Sequence, residues 1–370
     1  MLRTWVEINA RALAHNIAQL KRCTRALLAV VIKGNAYGHG LLCVAQLLET
    51  NPDVHMLCVA GTQEAIALKK AGIKKNILAM SYIDCELRDV VEHDIAITVY
   101  DEQQVLNVQQ EVQKYNKKVR VHVKIDTGMS RLGGTPTQVH NFIALIRAQP
   151  SLSIEGIFTH LSDTNALDDS FSCAQLDTFD CVVECARGSG QEFTAIHALA
   201  SGSLYVDRLD THVRVGTNVF GYWKSDVQKE RFLSRYPDMQ LHPVLQWKTH
   251  IMQVKTIAAG DYVGYNRTFK AANAMRIALL PVGYADGYPR CLSNKAQVSI
   301  GGVIAPVIGI VSMNLMAIDI THLPLCAVHD EVVLIGDHQG VRVEELAVQA
   351  QTIANEFVTR ISPTIVRLVV

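Results

Sequence analysis

The chain has 370 residues, with 35 basic and 35 acidic side chains, and is 49% hydrophobic. A formal net charge of zero removes the positive footprint of a nucleic-acid binder, and no apolar run approaches the roughly 20 residues of a membrane span. The length allows about two domains. The opening MLRTWVEINA lacks the apolar core of a signal peptide. Nine cysteines without paired spacing suit a reduced, cytosolic setting. Whether a membrane-anchored segment precedes these residues in a longer protein is left open.

Thr4 to Asn9 reads as a strand, and Ala10 to Thr24 as a helix with Leu13, Ile17 and Leu20 on one face. Leu27 to Ile32 is an apolar run without alternation, which suits a strand buried on both faces. It stops at Lys33, and Gly34, Asn35 and Gly38 mark a turn before a helical pattern begins near Leu41. A lysine at the end of a buried strand is costly to keep charged, so its amine tends toward a nucleophile that can condense with an aldehyde. Tyr37 and His39 lie beside it as candidates for binding something polar. Taken alone, Lys33 reads more readily as a lysine emerging into water.

Further strands are predicted at Met56–Ala60, Ile77–Met80, Ile95–Val99, Val119–Ile125, Ile154–Thr159, Phe193–His197 and Thr211–Val215. Helical stretches fall near 41–50, 63–71, 84–92, 102–115, 136–148 and 172–187. Strands alternating with helices predict parallel βα units, and eight of them predict a (β/α)8 barrel with its chemistry at the carboxyl ends of the strands. Lys33, Lys124, Asp126, Arg131, His160, His197, Ser201 and Arg214 all fall at or near such ends. Any one of them has a plain structural reading; all of them on one rim is a much less probable accident.

After about Arg235, Pro237 and Pro243 punctuate a linker. Short runs follow at Val244–Ile257, Met275–Val282, Gln297–Ile300, Val303–Val311, Met316–Ile320 and Glu331–Ile335, and Val343 to Phe357 reads as one late helix. The expected fold class is α/β: a TIM-like (β/α)8 barrel over residues 10–235 and a mainly-β domain over 236–370, which the strand at 1–9 is expected to join. No metal site is predicted.

The segments VVIKGNAYGHG, VKIDTGMSRLG, GIFTHLSDT, VGYNRTF, PVGYADGYPR and SMNLMAID occur in an order that resembles the pyridoxal-phosphate-dependent alanine racemase family over nearly the whole chain. The resemblance implies that Lys33 holds pyridoxal 5'-phosphate as a Schiff base and serves as one base. Tyr265 would be the second base, reaching the site of a partner subunit in a homodimer. It implies that Tyr37, Ser201, Gly216 and Thr217 cradle the phosphate, that Arg214 faces the pyridine nitrogen, and that His160 and Arg214 stand between the second base and the ring. Arg131 would lie near the substrate carboxylate, Lys124 would brace it when carbamylated, Met313 would contact the substrate, and Tyr284 and Arg290 would line the access corridor.

The chain departs from the family at Ala200-Ser201, where Asn-Ser is usual; at Ser312, where cysteine is usual; and at Asn314, where aspartate is usual. The late helix reads Ala354-Asn355-Glu356, where Asn-Tyr-Glu is usual. Asn355 makes the chain look most like VanT-type serine racemases of glycopeptide-resistant enterococci, with Asn355 facing the substrate. The resemblance therefore implies racemisation of serine and alanine for modified cell-wall precursors. A housekeeping alanine racemase, a barrel-type decarboxylase of basic amino acids and a non-catalytic pyridoxal-phosphate carrier remain as alternatives. The last two fit less well, because no acidic or cysteine-bearing decarboxylase motif is assignable and carriers resemble the barrel alone.

Overall fold

In the computed structural model, which describes residues 2–370, strand β1 (Thr4–Ile8) leads into helix Ala10–Arg22. Asn9 caps that helix by accepting from the Ala12 amide at 2.9 Å, and Leu13, Ile17 and Leu20 form its buried stripe. The next strands are β2 (Leu27–Val31), β3 (Val54–Gly61), β4 (Asn76–Tyr82), β5 (Ala96–Val99), β6 (Val119–Lys124), β7 (Leu152–Phe158), β8 (Ala195–His197) and β9 (His212–Val215). They form one eight-stranded sheet in the order β8-β7-β6-β5-β4-β3-β2-β9, and every ladder is parallel. Between β8 and β9 the ladder is replaced by a few bonds, such as Thr211 N to Ile196 O at 3.0 Å and Arg214 N to Leu199 O at 3.1 Å. The result is a nearly closed TIM-like barrel, as the alternation of elements predicts.

The barrel lumen is divided. On the β2 to β5 side it is filled by Ala29, Val31, Met56, Cys58, Leu78 and Ala96. On the β6 to β9 side it holds the buried side chains of His122, His197 and Arg214. Alternate residues such as Leu28, Val30, Leu57 and Val59 join the large core that includes the outer helices.

Beyond the barrel, β10 (Leu245–His250), β11 (Gln253–Ile257), the small β12 (Tyr262–Val263) and β13 (Phe269–Lys270), β14 (Met275–Leu280), β15 (Gln297–Ile300), β16 (Val303–Ile308), β17 (Met316–Asp319), β18 (Glu331–Ile335) and β19 (Val366–Val369) build the second domain. Its main sheet has the order β11-β14-β17-β16-β15-β18-β10-β1-β19. The first strand of the chain thus lies inside the second sheet, antiparallel to β10 and parallel to β19.

The expected late helix is two helices, Val343–Gln349 and Ala354–Thr359. Gln351 sits in the left-handed region (φ 57°), and the Thr352 amide turns back to the Ala347 carbonyl at 2.9 Å. The first helix therefore ends without a glycine, which is why its apolar periodicity gives no warning. Among the described residues no helix is long and apolar enough to cross a membrane, and no group of three His, Cys, Asp or Glu side chains is placed to hold a metal ion.

Candidate active site

A cavity of about 710 Å³ opens at the carboxyl ends of the barrel strands. Lys33 lies just past β2, and its side chain is open to this space. Desolvation by the surrounding walls is still the largest influence on its amine and holds it below the usual lysine value; Arg131 pushes the same way, Glu64 opposes, and Arg214 adds a smaller push.

The turn after Lys33 has an unusual shape. Gly34 (φ 62°), Asn35 (55°), Ala36 (52°) and Tyr37 (51°) are consecutive left-handed residues. The Ala36 amide bonds to the Ile32 carbonyl at 2.8 Å and the Gly38 amide to the Gly34 carbonyl at 3.1 Å. For a residue with a Cβ this conformation costs about 1–2 kcal/mol, so something must hold it. The turn carries Tyr37 back over the rim: a Cβ added at Gly216 would lie 2.6 Å from the Tyr37 hydroxyl. Gly216 is therefore a place where only a bare backbone fits. His39 takes a different part from the one expected of it. It is fully buried, stacks on Phe220 at 4.1 Å and hydrogen-bonds the Tyr37 carbonyl through Nδ1 at 2.9 Å. Burial pulls it down to about 3, so it is a neutral core residue.

Gly216, Thr217 and Ser201 meet at the same end of the cavity. The Gly216 amide donates to Ser201 Oγ at 2.7 Å, and Gln228 Nε2 donates to the Ser201 carbonyl at 3.0 Å. Asp210 fixes the preceding segment by accepting from the Ala198 and Leu199 amides at 2.6 and 2.9 Å. Asn355 donates from Nδ2 to Thr217 Oγ1 at 2.9 Å, while its Oδ1 is buried without a partner.

Arg214 is buried and holds the centre of the floor. It donates to the Thr159 and Ala198 carbonyls at 2.7 and 3.1 Å, to His197 Nδ1 at 2.8 Å and toward His160 Nδ1 at 3.3 Å. Desolvation lowers it to about 10, so it stays charged near neutral pH. A guanidinium only donates, which leaves His197 Nδ1 as an acceptor and puts its proton on Nε2. That proton points to His122 Nδ1 at 3.0 Å, and His122 Nε2 then faces Glu155 at 3.6 Å. Burial holds all three histidines below their usual range, so they are neutral. Gly156 on β7 makes the chain possible, since a Cβ there would lie 2.5 Å from His122 Nδ1.

Lys124 and Arg131 share the remaining wall. Desolvation foremost, then Arg131, Arg214 and Lys33, pull the Lys124 amine from 10.5 to about 8, with Asp126 opposing. Asp126 holds the following loop by accepting from the amides of Gly128, Met129, Ser130 and Arg131 at 2.8–3.1 Å. Six cations (Lys33, Lys124, Arg131, Arg214, Lys224 and Arg360) line the cavity against two carboxylates, Glu64 and Glu356. Such a space favours a small molecule with more than one negative group. The bare Gly216 backbone, the Ser201 and Tyr37 hydroxyls and the amine of Lys33 fit a phosphorylated aldehyde of the size of pyridoxal phosphate.

Apart from Asn355, the residues expected from the second domain are elsewhere. Tyr265 is 67% exposed, Met313 56% and Tyr284 43%, Arg290 is exposed too, and none of them lines the cavity. Their segments are tied to one another within the second domain: Tyr284 N and Ala285 N donate to the Ser312 and Met313 carbonyls, and Asn294 links Thr268 to Gly309. Sequence reasoning also missed Glu64, Lys224 and His122 as parts of this region. His122 left a weak signal, a histidine between two valines of a buried strand; Glu64 and Lys224 left none.

Two family models match the chain: "Alanine racemase, N-terminal domain" over residues 8–224 and "Alanine racemase, C-terminal domain" over residues 244–369. The chain is 34% identical to alanine racemase 1 of Clostridium acetobutylicum, across 98% of this chain and 94% of the relative. It is 35% identical to an alanine racemase of Methylacidiphilum infernorum, across 97% and 90%. A solved alanine racemase of Clostridium difficile superposes with a TM-score of 0.93 at 29% identity, covering all of this chain and 96% of that one. With both halves matched in order and the barrel-rim cluster in place, the chain belongs to the alanine racemase family.

Proposed function

We propose that this chain interconverts L- and D-alanine with pyridoxal 5'-phosphate, the cofactor of the family, and that Asn355 extends the activity to serine. The observation that carries the reading is a cavity in which an amine with a depressed pKa, a cradle of hydroxyl and amide groups and several unpaired cations converge. Pyridoxal phosphate, when bound, supplies an electron sink that lowers the cost of removing the α-proton.

In this reading, Ser201, Tyr37 and the Gly216 and Thr217 amides bind the phosphate, and Arg214, whose Nη groups are held by His197, Thr159 and Ala198, has its Nε–H left for the ring. Arg214 cannot hand over its proton, so it orients without protonating. Arg131 binds the substrate carboxylate. Lys33 moves the α-proton on one face. Racemisation needs a second group on the other face, and Tyr265 is our candidate, supplied by a second copy of the chain. Its exposure, shared by Tyr284, Met313 and Arg290, supports that assignment. Lys124, with an amine near 8 beside Arg131, has a neutral fraction able to take up carbon dioxide, and the carbamate would place a negative charge between two cations.

The relatives named above are alanine racemases, which favours alanine as the main substrate. The serine reading, the VanT-type likeness and a supply of D-amino acid to cell-wall precursors rest on Asn355 alone. An asparagine frees the room a tyrosine ring would take and brings an amide that can meet a hydroxyl. A cytosolic site of action is supported by cysteines that are all unpaired. The test is chiral chromatography of L-alanine and L-serine incubated with the purified chain and cofactor. D-alanine formation is expected, with slower or comparable D-serine formation; bound cofactor without either product would leave a carrier instead.

A further inference from the structure

Glu64, on helix Thr62–Lys70, belongs to no motif and takes no part in the proposed chemistry, yet it sits against Lys33 at the cavity wall. Its Oε1 accepts from the Gly34 amide at 2.8 Å and the Asn35 amide at 3.3 Å. Its Oε2 accepts from the Ala60 amide, near the end of β3, at 3.0 Å. One carboxylate thus ties the first residues of the left-handed turn to the neighbouring strand. The far end of the turn is held by other groups. Asn35 Oδ1 accepts from the Leu41 amide at 2.8 Å, and Arg367 Nη2 donates to the Gly38 carbonyl at 2.8 Å. At the near end, where Lys33 leaves the strand, Glu64 is the side chain that joins the Ala36–Ile32 backbone bond in holding the turn.

The other carboxylate at this cavity, Glu356, is paired with Arg360 at 2.8 Å. Glu64 is therefore the negative charge that faces Lys33, against Arg131, Arg214 and Lys124 on the remaining sides.

We propose that Glu64 is the positioning residue for Lys33: by fastening the Gly34 and Asn35 amides to the end of β3, it sets where the lysine projects and where Tyr37 returns to the rim. The inference builds on the role proposed for Lys33. A relaxed turn would let the amine and the Tyr37 hydroxyl drift apart, and a misplacement of about 1 Å is enough to slow a positioned reaction substantially.

The test is Glu64→Gln in the full chain, with Glu64→Asp as a control that keeps the charge but shortens the reach. Two readouts need no cofactor. Hydrogen exchange of overlapping peptides across 32–38 should show the Gly34 and Asn35 amides opening roughly tenfold or more faster in Glu64→Gln, the effect of losing a bond to a charged acceptor, with peptides of β6 unchanged. The midpoint of Lys33 acylation against pH, read by mass spectrometry, should move downward in Glu64→Gln, because the opposing charge is gone. Glu64→Asp should speed the exchange while leaving the midpoint nearer to that of the parent. Unchanged exchange at 32–38 in Glu64→Gln overturns the proposal. So does faster exchange spread through the whole barrel with a lowered Tm, which would make Glu64 a general brace. Should the parent chain fail to bind pyridoxal phosphate, the function proposed above fails, while these two readouts still decide the part played by Glu64.

Discussion

The rim of the barrel and the exposed face of the second domain were expected to serve one reaction, yet they are built differently. At the rim, several expected groups are held by partners within the chain: Arg214 by the carbonyls of Thr159, His197 and Ala198 and by His197 Nδ1, Ser201 by Gly216 and Gln228, Asn355 by Thr217. On the second domain, Tyr265 stands 67% exposed on a short turn between Gly264 (φ 73°) and Asn266 (φ 59°). A group whose surroundings are complete within one chain can be read from that chain. A group that faces outward, as Tyr265 does, has no such surroundings within the chain to read. On the function proposed above, the contrast is that a single copy carries one half of the site and presents the other.

Several substitutions would break or sharpen this contrast. Lys33→Ala strikes the carried half hardest: visible absorbance of bound pyridoxal phosphate and formation of D-alanine should both fall below detection. Full activity with normal absorbance would refute the assignment of Lys33. Tyr265→Phe strikes the presented half. Racemisation should drop by roughly 10²–10⁴-fold, with cofactor absorbance retained and α-proton exchange surviving better from one enantiomer than from the other. Mixing the Lys33→Ala and Tyr265→Phe chains should restore some activity if the halves come from different copies; no rescue after demonstrated subunit exchange removes that idea.

Smaller effects separate the parts of the rim. Gly216→Ala places a methyl against the Tyr37 hydroxyl, and equilibrium dialysis should show pyridoxal phosphate bound about tenfold more weakly, with unphosphorylated pyridoxal hardly affected. Asn355→Tyr should lower the ratio of kcat/KM for serine over alanine by about tenfold, the worth of one neutral hydrogen bond; an unchanged ratio with cofactor still bound sinks the serine reading. The mildest signature is a pH slope. Lys124 is lowered from 10.5 to about 8 in the folded chain, so between these values the unfolded state binds more protons and stability from this group rises with pH. Below about 8 its burial is fully unfavourable. Lys124→Met should flatten the stability–pH curve of the cofactor-free protein between pH 8 and 10.5, as followed by urea melts.

Most of the barrel was legible because its strands are short β-branched runs separated by helical periodicity, and such runs have few other uses. The rim cluster was legible for the same reason, since strand ends could be counted. His39 was not, because a histidine beside a reactive lysine looks the same in sequence whether it faces a cavity or Phe220. The break at Gln351 escaped because a non-glycine residue in the left-handed region leaves no mark. Glu64, thirty residues from Gly34, and the His197–His122 pair, joined across Gly156, depend on contacts between separate strands. No local pattern announces those.

The place of β1 has a consequence for how the chain comes to be folded. Its two partners, β10 and β19, are drawn from residues 245–250 and 366–369, so the first strand of the barrel and second domain pairs with the last. The barrel between them can assemble from neighbouring βα units of low sequence separation while synthesis continues. Residues 4–8 must wait, an unpaired apolar strand that includes the fully buried Val6 and Ile8. Completion of the second sheet is thus a late event that latches residues 4–8 to residues 366–369. Nascent chains stopped short of residue 245, before either partner strand exists, should expose β1 as a site for chaperone capture or misassociation.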